Sequence, residues 1–286
     1  MSEKGQCRIG LIGCGNVGTH LAAALVKSGF QLRAIYARRI EAAEATRRHA
    51  LAPFHLSADR TAKAANETRY ECIACDSLET MGTCGIDLLI FCVSDDAISP
   101  LAQEAAKYMP KALFVHTAGS VPMSVFQGVA HQYGVIYPLQ TFSKSRSIQF
   151  ADVPLFVEGS DDEVESKLLA LTTRLSTHVQ LMDSQRRKNL HLSAVFACNF
   201  PNALFGVAED LLSEAGVPRQ ALAPLIEETL KKFIADGAAA SQTGPAKRND
   251  QVVIARQEAM LSHEPLKLEV YRVLTDLIRQ SSRKSL

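Results

Sequence analysis

The segment Ile9-Gly10-Leu11-Ile12-Gly13-Cys14-Gly15-Asn16-Val17-Gly18 constrains the fold more than any other. It joins a short apolar β-type run to a helical pattern through a G-x-G-x-x-G turn. The motif alone is weak. Here it follows a strand, opens a helix and lies in a first strand-helix-strand unit, which is the context it requires. Gly13 permits the tight turn, Gly15 leaves room for a pyrophosphate to approach the backbone, and Gly18 lets helix and strand pack closely. Free N–H groups and the positive end of the helix dipole then meet phosphate. Gly13, Cys14, Gly15, Asn16, Val17 and Gly18 are therefore the expected cradle of a dinucleotide.

The pattern continues as strands alternating with helices. Arg8–Ile12, Leu32–Tyr36, Asp87–Val93, Ala112–His116, Val135–Leu139, Leu155–Val157 and Val179–Met182 read as strands. Asp87–Val93 is almost continuously apolar, as a central parallel strand covered on both faces must be. After Asp183 only helical periodicity remains, with breaks at Gly216-Val217-Pro218 and His263-Glu264-Pro265. The expected fold is α/β: a Rossmann, doubly wound, mostly parallel sheet over residues 1–183, then an all-α domain over 184–286. The length of 286 residues suits about two domains.

The second strand ends Tyr36-Ala37-Arg38-Arg39. A site for NAD places an acid there to accept from the ribose 2′-hydroxyl. No acid occurs from Ser28 through Ile40, and two guanidiniums suit a 2′-phosphate. The expected cofactor is NADP, held by Arg38 and Arg39, although a solvated helix start also explains Arg39. In an open parallel sheet, ligands lie beyond the C-terminal strand ends. Val93 and Ser94 at the fourth strand, His116 and Thr117 at the fifth, and Gln140 after the sixth are the expected nicotinamide and substrate wall. Asp95 caps the next helix or joins that wall; His116 is equally a hydrogen-bonded core histidine.

The helical pattern Gln185–Ala215 is mostly apolar yet carries Lys188, His191, Asn199 and Asn202. At about 100° per residue these fall within an arc of about 80°. The segment Leu190–Phe205 is expected to be buried at a domain interface, so its polar stripe needs partners, water or a ligand. Pro201 removes a helical hydrogen bond, which predicts a kink near Ala197 or Cys198. The loop Ser241–Asp250 offers Thr243, Gly244 and free N–H groups to an anionic substrate group, with Lys247 or Arg248 assisting; a capped turn is the plainer explanation.

Lys plus Arg and Asp plus Glu nearly cancel, leaving a formal charge of +1. No global electrostatic footprint for nucleic acid or an anionic membrane follows. Met1–Gln6 is polar and the next apolar run is too short for a signal peptide, and no uninterrupted apolar run reaches the ~18–20 residues that span a bilayer. Seven cysteines without an export signal suggest reduced thiols and a cytoplasmic location. Cys72-x-x-Cys75, with Cys84 nearby, lacks an evident fourth zinc ligand, and no metal is expected.

Val115–Ser120, Tyr137-Pro138-Leu139-Gln140-Thr141-Phe142, His191–Asn199 and Thr243-Gly244-Pro245-Ala246-Lys247-Arg248 resemble a Rossmann-like family with a C-terminal domain of unknown function. That family lies in the 6-phosphogluconate-dehydrogenase-like superfamily, whose pyrroline-5-carboxylate reductases and deazaflavin-dependent NADP reductases have similar N-terminal halves. The chain departs from the pattern at Asn249, where a glycine is expected, and at Pro201. The resemblance implies the fold, NADP binding and a homodimer through the helical domain. Together with the residues it suggests an NADP(H)-dependent oxidoreductase acting on a small polar molecule in an interdomain cleft. His191, Asn199 and Lys188 are the expected catalytic residues, His191 moving the proton and Asn199 polarising the substrate, and Ser94, His116, Thr117, Gln140, Asn202, Thr243 and Gly244 would surround it. The alternative is a non-catalytic NADP(H)-binding regulatory protein.

Overall fold

The computed structural model describes residues 7–55 and 71–284. Met1–Gln6 lie outside them. The chain forms two compact units, Met1–Cys198 and Asn199–Leu286.

The first unit is built on an eight-stranded sheet: β1 Arg8–Ile12, β2 Gln31–Tyr36, β3 Ile73–Cys75, β4 Leu88–Phe91, β5 Leu113–His116, β6 Tyr133–Pro138, β7 Leu155–Gly159 and β8 Val179–Leu181. The order is β3-β2-β1-β4-β5-β6-β7-β8. All neighbours pair in parallel except β6 with β7. This is the Rossmann order 3-2-1-4-5-6 extended by two strands, with its switch point between β1 and β4. Alternation along each strand sends side chains to both faces, and both are covered. Leu88 and Ile90 of β4 join one buried cluster, while Leu89 and Phe91 join the other. In the second cluster the rings of Phe91, Phe114 and Phe126 meet at 5.3–5.9 Å between centroids.

Among the described residues, five helices cover the sheet: α1 Asn16–Lys27, α2 Ile40–His55, α3 Leu78–Gly82, α4 Asp95–Tyr108 and α5 Asp162–Thr172. The Asp161 carboxylate caps α5 by accepting from Val164 N at 2.9 Å. The next helix, α6 Ser184–Ala194, still belongs to the first unit. Arg187, fully buried on α6, ties it there. Its guanidinium pairs with Glu158 of β7 and donates to Val121 O at 2.7 Å.

Beyond α6 the helix widens into a π-helical turn over Val195–Asn199, then resumes as α7 Phe200–Glu214. The sequence predicts a kink here. A π-turn is what relieves the clash that the Pro201 ring would make with the carbonyl four residues earlier. Ser184–Glu214 as a whole is 31 residues long and holds an 18-residue window of mean hydropathy 1.3. By length and composition alone it suffices to cross a membrane; counting only uninterrupted apolar runs misses it.

The second unit continues with α8 Ala223–Ser241, α9 Pro245–Arg248, α10 Gln251–Met260 and α11 Pro265–Lys284. Gly237 interrupts α8 at φ +77°, and Asn249 ends α9 in the left-handed region at φ +56°. Asn tolerates that conformation better than other side chains, so it replaces the expected glycine without losing the turn. The expected burial of Leu190–Phe205 does not hold for the chain by itself: Leu192 is 57% and Phe205 42% exposed.

Candidate functional site

The site grows from the turn after β1. Gly13 has φ +104°, and a Cβ there would lie 2.3 Å from Cys92 O. At Gly18 a Cβ would lie 2.1 Å from Gly13 O, so α1 packs directly on the turn. Around Gly15 the case is reversed: nothing lies within 4 Å of where a Cβ would be. Two glycines are required by packing and one leaves open space, the division a pyrophosphate cradle needs. Gly15 also caps α1 without a side-chain hydrogen bond, and no acid stands in the first turn. The helix end is left for an external anion.

That turn opens into a cleft of about 1210 Å³ in the first unit. Gly13, Cys14, Gly15, Asn16 and Val17 form its floor; Gly18 lies beneath, buried. Arg38 and Arg39 line one end, both exposed, with no ion pair among the described residues. Glu104 of α4 lines the same cleft. The residues present fit a dinucleotide carrying a 2′-phosphate.

The other end is made by successive strand exits. Val93 and Ser94 follow β4 and line the cleft. Ser94, not Asp95, is the cap residue of α4. The Asp95 carboxylate instead accepts from the Ser120 hydroxyl, tying the exits of β4 and β5 together. Thr117 lines the cleft while its hydroxyl donates to Phe91 O at 3.3 Å. Gln140 lines it too, its Oε1 accepting from Thr141 N at 2.8 Å.

His116 is not part of that lining. It is fully buried against Phe126, and its Nδ1 accepts from Ala118 N at 3.2 Å. Burial, reinforced by the nearby Arg187 charge, pushes its pKa down to about 3 and keeps the ring neutral. It shapes the turn that carries Thr117 to Gly119.

His191 of α6 does line the cleft. Its Nδ1 lies 3.0 Å from the Tyr137 hydroxyl, and the two rings meet edge to face at 5.8 Å. Tyr137 is the penultimate residue of β6 and also lines the cleft. The motif Tyr137–Phe142 marks this segment, but nothing in the sequence pairs Tyr137 with a residue 54 positions away. Lys188 is exposed and outside the lining. Its neighbour Arg187 is the inward residue, held by Glu158, Val121 O and the Ser184 hydroxyl at 3.1 Å.

In the second unit, Asn199 is exposed at the end of the π-turn. Asn202 lines a smaller cavity of about 470 Å³ with Phe205, Arg219 and Gln220. Thr243 and Gly244 precede α9, and the Thr243 carbonyl accepts from Gln242 Nε2 at 2.9 Å. Neither residue belongs to that cavity. Cys72 and Cys75 in the first unit are free, buried thiols. Their pKa values are pushed up to about 12 and about 11, chiefly by burial.

Residues 153–278 match a family model described as a domain of unknown function (DUF2520). No curated protein matches the chain. Among solved structures, the putative NADP oxidoreductase of Bacteroides fragilis is 35% identical, with a TM-score of 0.81, over 96% of this chain and 98% of that one. A reductive aminase of Aspergillus terreus, in complex with NADPH and ethyl-5-oxohexanoate, is 16% identical with a TM-score of 0.66, over 98% and 94% of the two chains. A pyrroline carboxylate reductase of Plasmodium falciparum with NADP bound is 9% identical with a TM-score of 0.54, over 96% and 98%. The last two likenesses show the shared fold. The first is 35% identical over nearly all of both chains, and this protein therefore belongs to the family of the Bacteroides fragilis putative NADP oxidoreductase.

Proposed function

We propose that the protein is an NADP(H)-dependent oxidoreductase that reduces, or forms by oxidation, a C=O or C=N bond in a small polar substrate. One observation carries this: a single cleft holds the open face of Gly15, the exposed side chains of Arg38 and Arg39, and the Tyr137–His191 pair. The arginines would bind the 2′-phosphate by charge-assisted hydrogen bonds, and the turn at Gly13–Val17 the pyrophosphate. Bound NADPH supplies a hydride from its nicotinamide ring. His191 gives a proton to the substrate heteroatom in reduction and takes it back in oxidation. Thr117 and Ser94 line the same volume. Asn199, Asn202, Thr243, Gly244 and Lys188 are not needed for this assignment.

A homodimer and a cytoplasmic location belong to the same proposal. The apolar residues that the second unit leaves exposed, among them Leu225 at 64% and Ile234 at 72%, would be covered by a second copy. The long helix Ser184–Glu214 would then serve a protein interface and not a bilayer.

The chain has no Trp, so NADPH fluorescence reports binding against a weak background. NADPH should bind more tightly than NADH. Arg38→Ala should weaken NADPH roughly 10- to 150-fold, the value of one charged hydrogen bond, and leave NADH unchanged. Equal affinity for the two cofactors would sink the assignment. His191→Gln should retain NADPH binding and lower its oxidation by a panel of ketones, keto acids and cyclic imines by about 100-fold or more. Tight NADPH binding without turnover of any such substrate would favour a regulatory protein.

A further inference from the structure

The cleft contains one side-chain hydrogen bond whose direction decides what His191 can do. Tyr137 is 7% exposed, and among the described residues its hydroxyl has one partner, His191 Nδ1 at 3.0 Å. His191 Nδ1 likewise has no other. A neutral imidazole carries its proton on Nδ1 or on Nε2, and the hydrogen bond made by one nitrogen fixes the state of the other.

The two directions are not equivalent. If Nδ1–H donated to the phenol oxygen, the phenol proton would be left in a buried position with no acceptor among the described residues. If the phenol donates, its proton and the Nδ1 lone pair are satisfied together. Burial raises the pKa of Tyr137, so the phenol keeps its proton at neutral pH. His191 Nε2 has no partner among the described residues, and the ring lines the cleft.

We propose that Tyr137 is a positioning residue that holds neutral His191 with its proton on Nε2, making Nε2–H the donor available to the cleft. This rests on the proposed proton-donor role of His191. The ring is also held sterically. A Cβ on Gly119 would lie 2.5 Å from His191 Nδ1 and 2.6 Å from its Cγ. Gly119 has no strained φ, so its substitution acts through that contact alone. Below the ring, on the preceding turn of α6, Arg187 is anchored to Glu158 and Val121 O. Tyr137 fixes the tautomer, Gly119 admits the ring, and Arg187 fixes the helix.

The test uses the full chain labelled with ¹⁵N-histidine. Long-range ¹H–¹⁵N correlation spectra at neutral pH report each imidazole tautomer, and the signal lost in His191→Gln assigns this one. In the wild type, His191 should show a pyridine-type Nδ1 and a pyrrole-type Nε2. In Tyr137→Phe the two resonances should move toward each other, as the tautomers mix. Gly119→Ala, which keeps the phenol, should produce a similar shift by pushing the ring off its partner. A wild-type His191 protonated on Nδ1 overturns the proposal, whether or not either variant folds. So does an unchanged His191 spectrum in folded Tyr137→Phe. Turnover by His191→Gln tests the underlying role separately: undiminished NADPH oxidation would remove the proton-donor role, while the spectra judge Tyr137.

Discussion

The two units solve the problem of burial in opposite ways. In the first, both faces of the sheet are covered from within the chain, and β1, β4 and β5 are buried almost throughout. In the second, the described residues that are buried are few: Ala246, Ile254, Leu261 and Thr275. Helices α7 and α8 bury none of their residues, although α8 alone exposes Leu230 at 55%, Phe233 at 53% and Ile234 at 72%. An amphipathic or apolar helix owes most of its stability to packing. The contrast teaches that the first unit is stable through its own core, whereas the second is stable to the extent that something covers it. Three substitutions probe that contrast, beginning where the largest change is expected.

Arg187→Ala attacks the first unit at the point where α6 joins its sheet. The guanidinium is fully buried and its partner Glu158 nearly so. The Glu158 carboxylate also accepts from Ser184 N at 2.9 Å and from the Ser184 hydroxyl, which in turn accepts from Met123 N at 3.0 Å. Removing the cation leaves a buried carboxylate without its counter-charge, a loss of about 3–5 kcal/mol. Equilibrium denaturation should show this at every protein concentration. The double substitution Arg187→Met with Glu158→Leu should lose much less, because it removes both charges. A concentration-dependent loss would mean that the first unit, too, depends on a partner.

The same contrast explains what could be read from the sequence. The sheet and the phosphate turn were legible because their causes are local. An apolar run covered on both faces must be a central strand, and Gly13 and Gly18 stand where a Cβ would strike backbone. The Tyr137–His191 and Arg187–Glu158 pairs were not legible. They depend on which residue of β6 or β7 reaches α6, a matter of register and helix rotation across 54 and 29 positions. The sequence points to Lys188, whereas Arg187 is the buried residue, since a stretch so mixed in polarity does not show which face turns inward. The stripe through Asn199 and Asn202 assumed one angular step throughout, and the π-turn at Val195–Asn199 breaks that phase. Asn249 could have been foreseen: it is a side chain that accepts the left-handed turn.

Ile234→Asp turns to the second unit. At 72% exposure the substitution would change the stability of a bare chain by less than about 0.5 kcal/mol. If a second copy covers this face, a charge there should weaken association by about 2 kcal/mol, close to 30-fold. Sedimentation equilibrium measures the difference directly. A wild-type chain that sediments as a monomer, or an unchanged association constant in the variant, would leave the apolar face uncovered in solution and remove the dimer.

A third test separates the units by pH. His116 lies on β5 in the first unit, fully buried, with its folded pKa near 3 against an ordinary value of 6.5. Between those two values the unfolded chain binds a proton that the folded chain refuses. Stability therefore falls as pH falls: it is fully present above 6.5 and is lost by about 1.4 kcal/mol for each pH unit below it, until the folded pKa is reached. The depressed carboxyls act lower, Asp87 and Asp161 below their ordinary 3.8 and Glu258 below its ordinary 4.5, so the window from 6.5 to about 5 belongs to His116. Among the described buried residues of the second unit none titrates, Thr275 being the one that is polar. Hydrogen exchange at pH 5.5 and 7.5 should then show β4, β5 and their neighbours losing protection at the lower pH, with α10 and α11 changing less. His116→Gln, which keeps a donor and an acceptor in the same place, should flatten the pH dependence of the first unit. A slope that survives that substitution would place the acid sensitivity on another buried group and leave His116 without a part in it.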